Sequence, residues 1–389
     1  MYPKRILTLV IFFLFFVKVH AQVVETKDEV DWHSSILYNA GQWNELITYG
    51  KEKISSGMDF SLLRMRVGYA SFVLGNYSQS LKQYQNVLQT EPHNAIALYY
   101  VYLNNLYLNN ITAARFYAAQ LPAETKAYEK ISKLKIYSVE TEYSYKMPTD
   151  TFRKNAQYAR IGLNLQLGYR LQLQQSGAWF KQFINEPNMS YVTNNQKIDL
   201  NLKEYYGKLI FAATGKVSVI GGFHYIKSPF NNYSYNNRVT FGGVKYTTPY
   251  FQFKAMANLG NITDKSYNQY DLTASVYPRG NTKLYTISRI AYGDQFTFSQ
   301  VAGYGITKAI WLEANVTLGK YNSYYENDAL YVYNDIDQKE FKTGASVYAN
   351  LSKNAMLSVN YTFEQKLRYK TTTNYFYQNS INGGLTWKF

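Results

Sequence analysis

The sequence predicts an α + β multidomain chain, a short α-solenoid followed by a transmembrane antiparallel β-barrel of about 14 strands, with twelve or sixteen as the alternatives. Three observations predict it. Beyond Leu134 the spacing of apolar residues changes from a period of about 3.6 to one of 2. Short and long connections then alternate to the end of the chain. Outside the extreme N-terminus, no apolar run approaches the ~18 residues of a membrane helix, so any membrane-spanning part must be made of strands.

Composition agrees. The 389 residues include 41 tyrosines and have a mean hydropathy of −0.35. Tyrosine supplies nearly a quarter of the hydrophobic residues, and it favours surfaces that are apolar at one end and wet at the other. With no cysteine, disulfides, thiol nucleophiles, thiolate metal sites and a lipoprotein anchor are excluded. Forty-one basic against 26 acidic residues give +15, which raises the question of nucleic acid. No basic run, zinc spacing or RNA-binding aromatic motif supports it, so no nucleic acid is expected, and no cofactor.

Lys4 and Arg5 precede an apolar stretch over 6–17, and Val19-His20-Ala21 places small residues at −3 and −1 of a cut between Ala21 and Gln22. That order is a secretory signal peptide, too short to cross ~30 Å of hydrocarbon as an anchor. The mature chain is then expected outside the cytoplasm.

Residues 27–135 read as a helical domain. Sliding the chain against itself by 34 residues aligns 27–60, 61–94 and 95–128. The middle window has Val67-Gly68 where one helix must pass close to another, Gly75-Asn76-Tyr77 at a turn, Leu81, Tyr84 and Val87-Leu88 at helical spacing, and Pro92 before the next unit. It resembles a tetratricopeptide repeat. Its neighbours keep Gly41-Gln42-Trp43 with Leu46 and Ile47, and Asn109-Asn110-Ile111 with Ala114 and Ala118. The resemblance implies a groove that binds a periplasmic protein partner through the first helix of each pair: Ser35, Tyr38, Met65, Tyr69, Phe72, Tyr99, Leu103 and Leu106. Packing against neighbouring helices is the competing role for these residues.

Residues 136–389 read as the barrel. Ile161, Leu163, Leu165 and Leu167 alternate with polar residues, as do Ile310, Leu312, Ala314, Val316 and Leu318, and Leu357, Val359, Tyr361 and Phe363. Short turns are expected near 168–169, 214–215, 247–249, 278–281, 307–308 and 352–354. Polar loops are expected at 147–156, 183–197, 228–237, 260–267, 321–338 and 369–376, with a short one at Gly293-Asp294. The last strand places Ile381, Gly383, Leu385, Trp387 and Phe389 on one face and ends on an aromatic residue. Leu385, Trp387 and Phe389 thus resemble the terminal signal read by the barrel assembly machinery of the outer membrane. Tyr137, Tyr143, Tyr225, Tyr246, Tyr250, Tyr277, Tyr292, Tyr304, Tyr321, Tyr324 and Tyr325 fall near strand ends, where an aromatic girdle meets outer-membrane lipid. Tyr233, Tyr235, Tyr331 and Tyr333 fall in loops, where they either contact glycans or pack the loop.

In its whole arrangement the chain resembles the YaiO family of outer-membrane β-barrels in its repeat-bearing, Bacteroidetes-like form. In layout it is also similar to export porins for poly-N-acetylglucosamine and cellulose. The resemblance implies an outer-membrane protein with a periplasmic N-terminal domain and a part in transport or polysaccharide export; it carries over no catalytic residue.

If the apolar strand faces meet lipid, the lumen receives Glu140, Glu142, Arg160, Lys254, Asp271, Arg289, Glu313, Lys342 and Glu364. From Ile136 onward 27 basic face 16 acidic residues, so the lumen is mildly basic; either it is open to anionic solutes or polysaccharide, or an ion-pair network fills it. A non-conducting barrel would serve instead as anchor, adhesin or envelope-assembly accessory. The barrel has a single histidine, His224, on which any serine hydrolase site with Ser218 or Ser234 would depend. A lone histidine on a strand is a weak basis for catalysis, and the chain is read as no enzyme. His33 and His93 lack metal-ligand spacing.

Overall fold

The computed structural model describes residues 25–185, 198–230, 233–263 and 265–389; the expected cleavage site at Ala21 and Gln22 lies outside the described residues. Among these, seven helices precede fourteen strands. Three helical hairpins come first: α1 (Lys27–Asn39) with α2 (Trp43–Ser55), α3 (Ser61–Val73) with α4 (Tyr77–Thr90), and α5 (Ala95–Tyr107) with α6 (Ile111–Ala118). A short α7 (Ala123–Tyr128) follows. Local chemistry sets the starts. Thr26 accepts from the Glu29 N–H while Glu29 accepts from the Thr26 N–H, a reciprocal cap of α1. Asn76 and Asn94 cap α4 and α5 one way only, their side chains accepting from the N–H three residues on. Gly68 lets α3 approach the Tyr84 ring of α4 closer than any side chain would permit. Leu81, Tyr84, Val87, Ala97 and Val101 bury the seam between the second and third hairpins.

The strands are β1 (Leu134–Pro148), β2 (Ala156–Leu167), β3 (Leu171–Ile184), β4 (Ile198–Ala212), β5 (Val217–Phe230), β6 (Tyr233–Thr247), β7 (Phe251–Ile262), β8 (Lys265–Val276), β9 (Leu284–Tyr292), β10 (Phe296–Gly305), β11 (Ile310–Glu326), β12 (Tyr331–Asn350), β13 (Ala355–Leu367) and β14 (Tyr375–Lys388). Each pairs antiparallel with its sequence neighbours, and β14 returns to β1 from Ser138↔Lys388 to Pro148↔Gln378, closing the barrel. The fourteen strands match the number expected from the turn pattern. Two connections are tighter than the polar stretches suggested: β6 begins at Tyr233, so Tyr233 and Tyr235 belong to a strand, and only 263–264 separate β7 from β8.

Alternation places the large apolar residues outside. Leu209, Phe211, Phe223, Val244, Phe253, Leu272, Ile290, Leu312, Val359, Ile381 and Leu385 are exposed on the outer wall, while their neighbours in sequence face inward. Left in water, each would forgo about 1.5–3 kcal/mol of burial, so a continuous band of them calls for an apolar surrounding. Closed, antiparallel and even in strand number, apolar outside and polar within, this is the architecture of an outer-membrane β-barrel.

The helical domain sits on the rim that carries the short turns. The Ser78 N–H donates to Gly280 O at 2.8 Å, and Asn281 Nδ2 donates to Gly75 O at 3.1 Å. Gln252 Nε2 donates to Asn110 Oδ1, and the Arg170 guanidinium lies 4.6 Å over the Phe116 ring.

Candidate functional site

The deciding feature is the end of the β11–β12 hairpin. β10 stops pairing with β11 at Phe298↔Leu318, and β12 stops pairing with β13 at Gln338↔Leu367. Beyond those points Tyr321 still pairs with Lys339, and after register slips on either side of Tyr321 the pairing from Ser323↔Asn334 to Glu326↔Tyr331 joins the two arms only to each other. Gly319, at φ +131°, makes the bend; a Cβ there would lie 2.6 Å from Phe296 O. Residues 321–338, expected as an outer loop, instead form a hairpin folded into the lumen.

Apolar packing, backbone hydrogen bonds and charge hold it there. Tyr325, Ala329, Leu330 and Val332 pack on a patch of inner wall formed by Tyr206, Ile220, Val239, Phe241, Met256, Ile262 and Tyr267. Gln269 takes the place of a neighbouring strand: its Oε1 accepts from the Tyr325 N–H at 2.9 Å and its Nε2 donates to Tyr325 O at 2.8 Å. Tyr321, Tyr324 and Tyr325 are buried, not in the girdle where their positions near strand ends suggested, because their strand has left the wall. Tyr331 and Tyr333 donate to Glu142 at 2.7 Å and Glu326 at 2.9 Å, so their partners are lumen carboxylates.

The hairpin's acids meet bases both across the lumen and on β12 itself. Asp328 pairs with Lys208 and Lys254, Asp335 with Lys339 and Lys366, Asp337 with Arg153, and Glu326 with Lys342. The expected lumen residues all take part in polar contacts. Arg160 reaches Glu140 and Glu142, Arg289 pairs with Asp271 at 3.0 Å, Glu313 accepts from Tyr285 and Tyr348, and Glu364 lies 3.2 Å from Lys339. Arg153, Glu326, Asp328, Asp335 and Asp337 were missed as lumen groups. They fall in segments read as loops, and only an excess of acids facing a basic barrel hinted at them.

His224 belongs to the same contact. Its Nδ1 lies 2.7 Å from Ala329 O and its Nε2 3.3 Å from Glu204. Both ring nitrogens thus face the hairpin and an acid.

On the helical domain, the eight expected groove residues are all half-buried. Tyr38, Tyr69 and Phe72 join an aromatic ladder through Tyr100, with rings 5.3–5.7 Å apart. Met65 packs toward α4, while Tyr99, Leu103 and Leu106 pack toward α6. Ser35 donates to Trp32 O. Tyr99 also donates to Glu129 at 2.6 Å, and burial, followed by that carboxylate, pushes its phenol well above the usual range.

No family model matches the chain, and no curated protein matches it. Among solved structures it is similar to a Pseudomonas aeruginosa FadL homologue, at 10% identity over 74% of this chain and 94% of that one, TM-score 0.46. It is similar to the Acinetobacter baumannii outer membrane protein Omp33, at 8% identity over 65% and 99%, TM-score 0.39. It is also similar to a KdgM porin in complex with disordered oligogalacturonate, at 11% identity over 64% and 99%, TM-score 0.31.

Proposed function

We propose that this chain is an integral outer-membrane channel, closed at rest by the β11–β12 hairpin, that moves polysaccharide or a related glycan across the membrane. The helical domain faces the periplasm and offers a protein partner the aromatic ladder of α1, α3 and α5. The assembly machinery reads the strand ending in Leu385, Trp387 and Phe389, and lipid surrounds the apolar band. The observation that carries the reading is how the hairpin is held: by ion pairs, an apolar face and the two Gln269 side-chain bonds, with no wall strand among the described residues paired to 323–334, so it can leave the lumen without breaking the barrel. A barrel serving only as an anchor needs no such detachable segment.

Planar-bilayer recording on the full chain tests this. The intact protein is expected to stay closed with rare openings, and a variant with 320–338 replaced by a two-residue turn to conduct steadily. If the shortened barrel, shown to be folded by heat-modifiable migration, never conducts, the channel reading fails and the anchor remains.

A further inference from the structure

The apex of the hairpin runs through three successive left-handed residues, Asn327, Asp328 and Ala329, at φ 53°, 57° and 56°. L-residues avoid that conformation, so the apex is held by what it touches. One carboxylate oxygen of Asp328 lies 2.5 Å from Lys254 Nζ, and the other 3.2 Å from Lys208 Nζ. Lys245 stands directly across the β6–β7 pair from Lys254, and its neighbours Val244 and Tyr246 face outward, so it points into the same space. Three lysines from three strands around one carboxylate exceed what a single tether requires.

We propose that Lys208, Lys245 and Lys254 form a binding site for the carboxylate groups of an acidic polysaccharide, and that Asp328 occupies it while the pore is closed. The site deepens the channel reading and rests on it for access. Lys208 lies near the end of β4 and Lys254 near the start of β7, on the rim where the helical domain docks, so a chain entering from that side meets the lysines before the hairpin. Beside them, Tyr206 and Phe241 stack at 5.6 Å and Met256 is buried on the same wall, an apolar surface for a sugar ring next to cations for its acid. An incoming carboxylate replaces that of Asp328 one for one, so the lysines never lose their counter-charge and the hairpin is freed as the ligand binds.

Calorimetry on the detergent-solubilised full chain, with oligoalginate as probe and neutral maltohexaose and polyphosphate as comparisons, tests the site. Asp328→Asn removes the internal competitor and is expected to raise oligoalginate affinity about tenfold. Lys245→Gln removes one cation of the site and is expected to lower it about tenfold. Unchanged affinity in both variants, equal binding of maltohexaose, or tighter binding of polyphosphate would overturn the proposal. Binding that follows the lysines in a barrel that never conducts would leave the site and remove the channel. Conduction by the shortened barrel with lysine-independent binding would do the reverse.

Discussion

Two adjacent hairpins of one sheet end differently. β13–β14 runs from Ala355↔Trp387 to Leu367↔Tyr375 without a slip, with Leu357, Val359, Tyr361, Ile381 and Leu385 all outward. β11–β12 begins in the same way at Ile310↔Ala349 and keeps its register to Leu318↔Phe341, then slips twice and turns inward. The difference lies in which faces can meet lipid. Strict alternation leaves β13–β14 one uncharged, mostly apolar face, interrupted only by Gln365 and Asn379. Beyond Gly319, tyrosines fall on both faces, Tyr324 beside Tyr325, Asp335 and Asp337 load one face with charge, and neither face suits hydrocarbon. Inside, the same residues find Arg289, Lys366 and Arg153.

The comparison breaks most severely at Arg153→Ala. Arg153 and Asp337 are both buried and meet at 2.6 and 2.9 Å, so truncation strands a buried carboxylate at a cost of about 3–5 kcal/mol. Open probability in bilayers is expected to rise at least about a hundredfold; unchanged closed lifetimes would show that this pair does not hold the hairpin. Gly319→Ala comes next. Its positive φ and the approach of Phe296 O predict a loss of about 1–3 kcal/mol, read as protease access to 320–338. Gly383→Ala, on the outward face of β14 with nothing within 4 Å of the added methyl, is the matched control and should shift thermal stability by under ~0.5 kcal/mol. Equal effects at the two glycines would mean that the bend is not made at Gly319.

The wall was legible because lipid and lumen impose a period of 2 that local sequence must obey. Ile161, Leu312 and Val359 announced their strands, and turn chemistry at Gly168 and Thr214 announced the short rim. The inward hairpin was not legible. Its tyrosines near strand ends carry the same local pattern as a girdle, and its acids the same pattern as a solvated loop. What separates these cases is contact across the barrel, Asp328 with Lys254 or His224 with Ala329, between residues far apart in sequence. The one regional trace was charge: 321–338 carries Glu326, Asp328, Asp335 and Asp337 and no lysine or arginine, within a barrel that is basic as a whole.

The smallest expected effects come from removing one hydroxyl in each hairpin. Tyr325 is fully buried and donates to Tyr267 O at 3.0 Å, so Tyr325→Phe leaves that contact unmade in a dry place and should cost about 1–1.5 kcal/mol of closed-state stability. Tyr361 donates to Asn379 Oδ1 at 2.5 Å on the exposed outer face. Tyr361→Phe should cost under about 0.5 kcal/mol and leave gating unchanged, since neither residue touches the lumen. Tyr325→Phe is therefore expected to lengthen openings several-fold in single-channel records, with thermal unfolding of the wall unaltered. Loss of wall stability without longer openings would make the hairpin a part of the barrel's core, not a segment detachable from it.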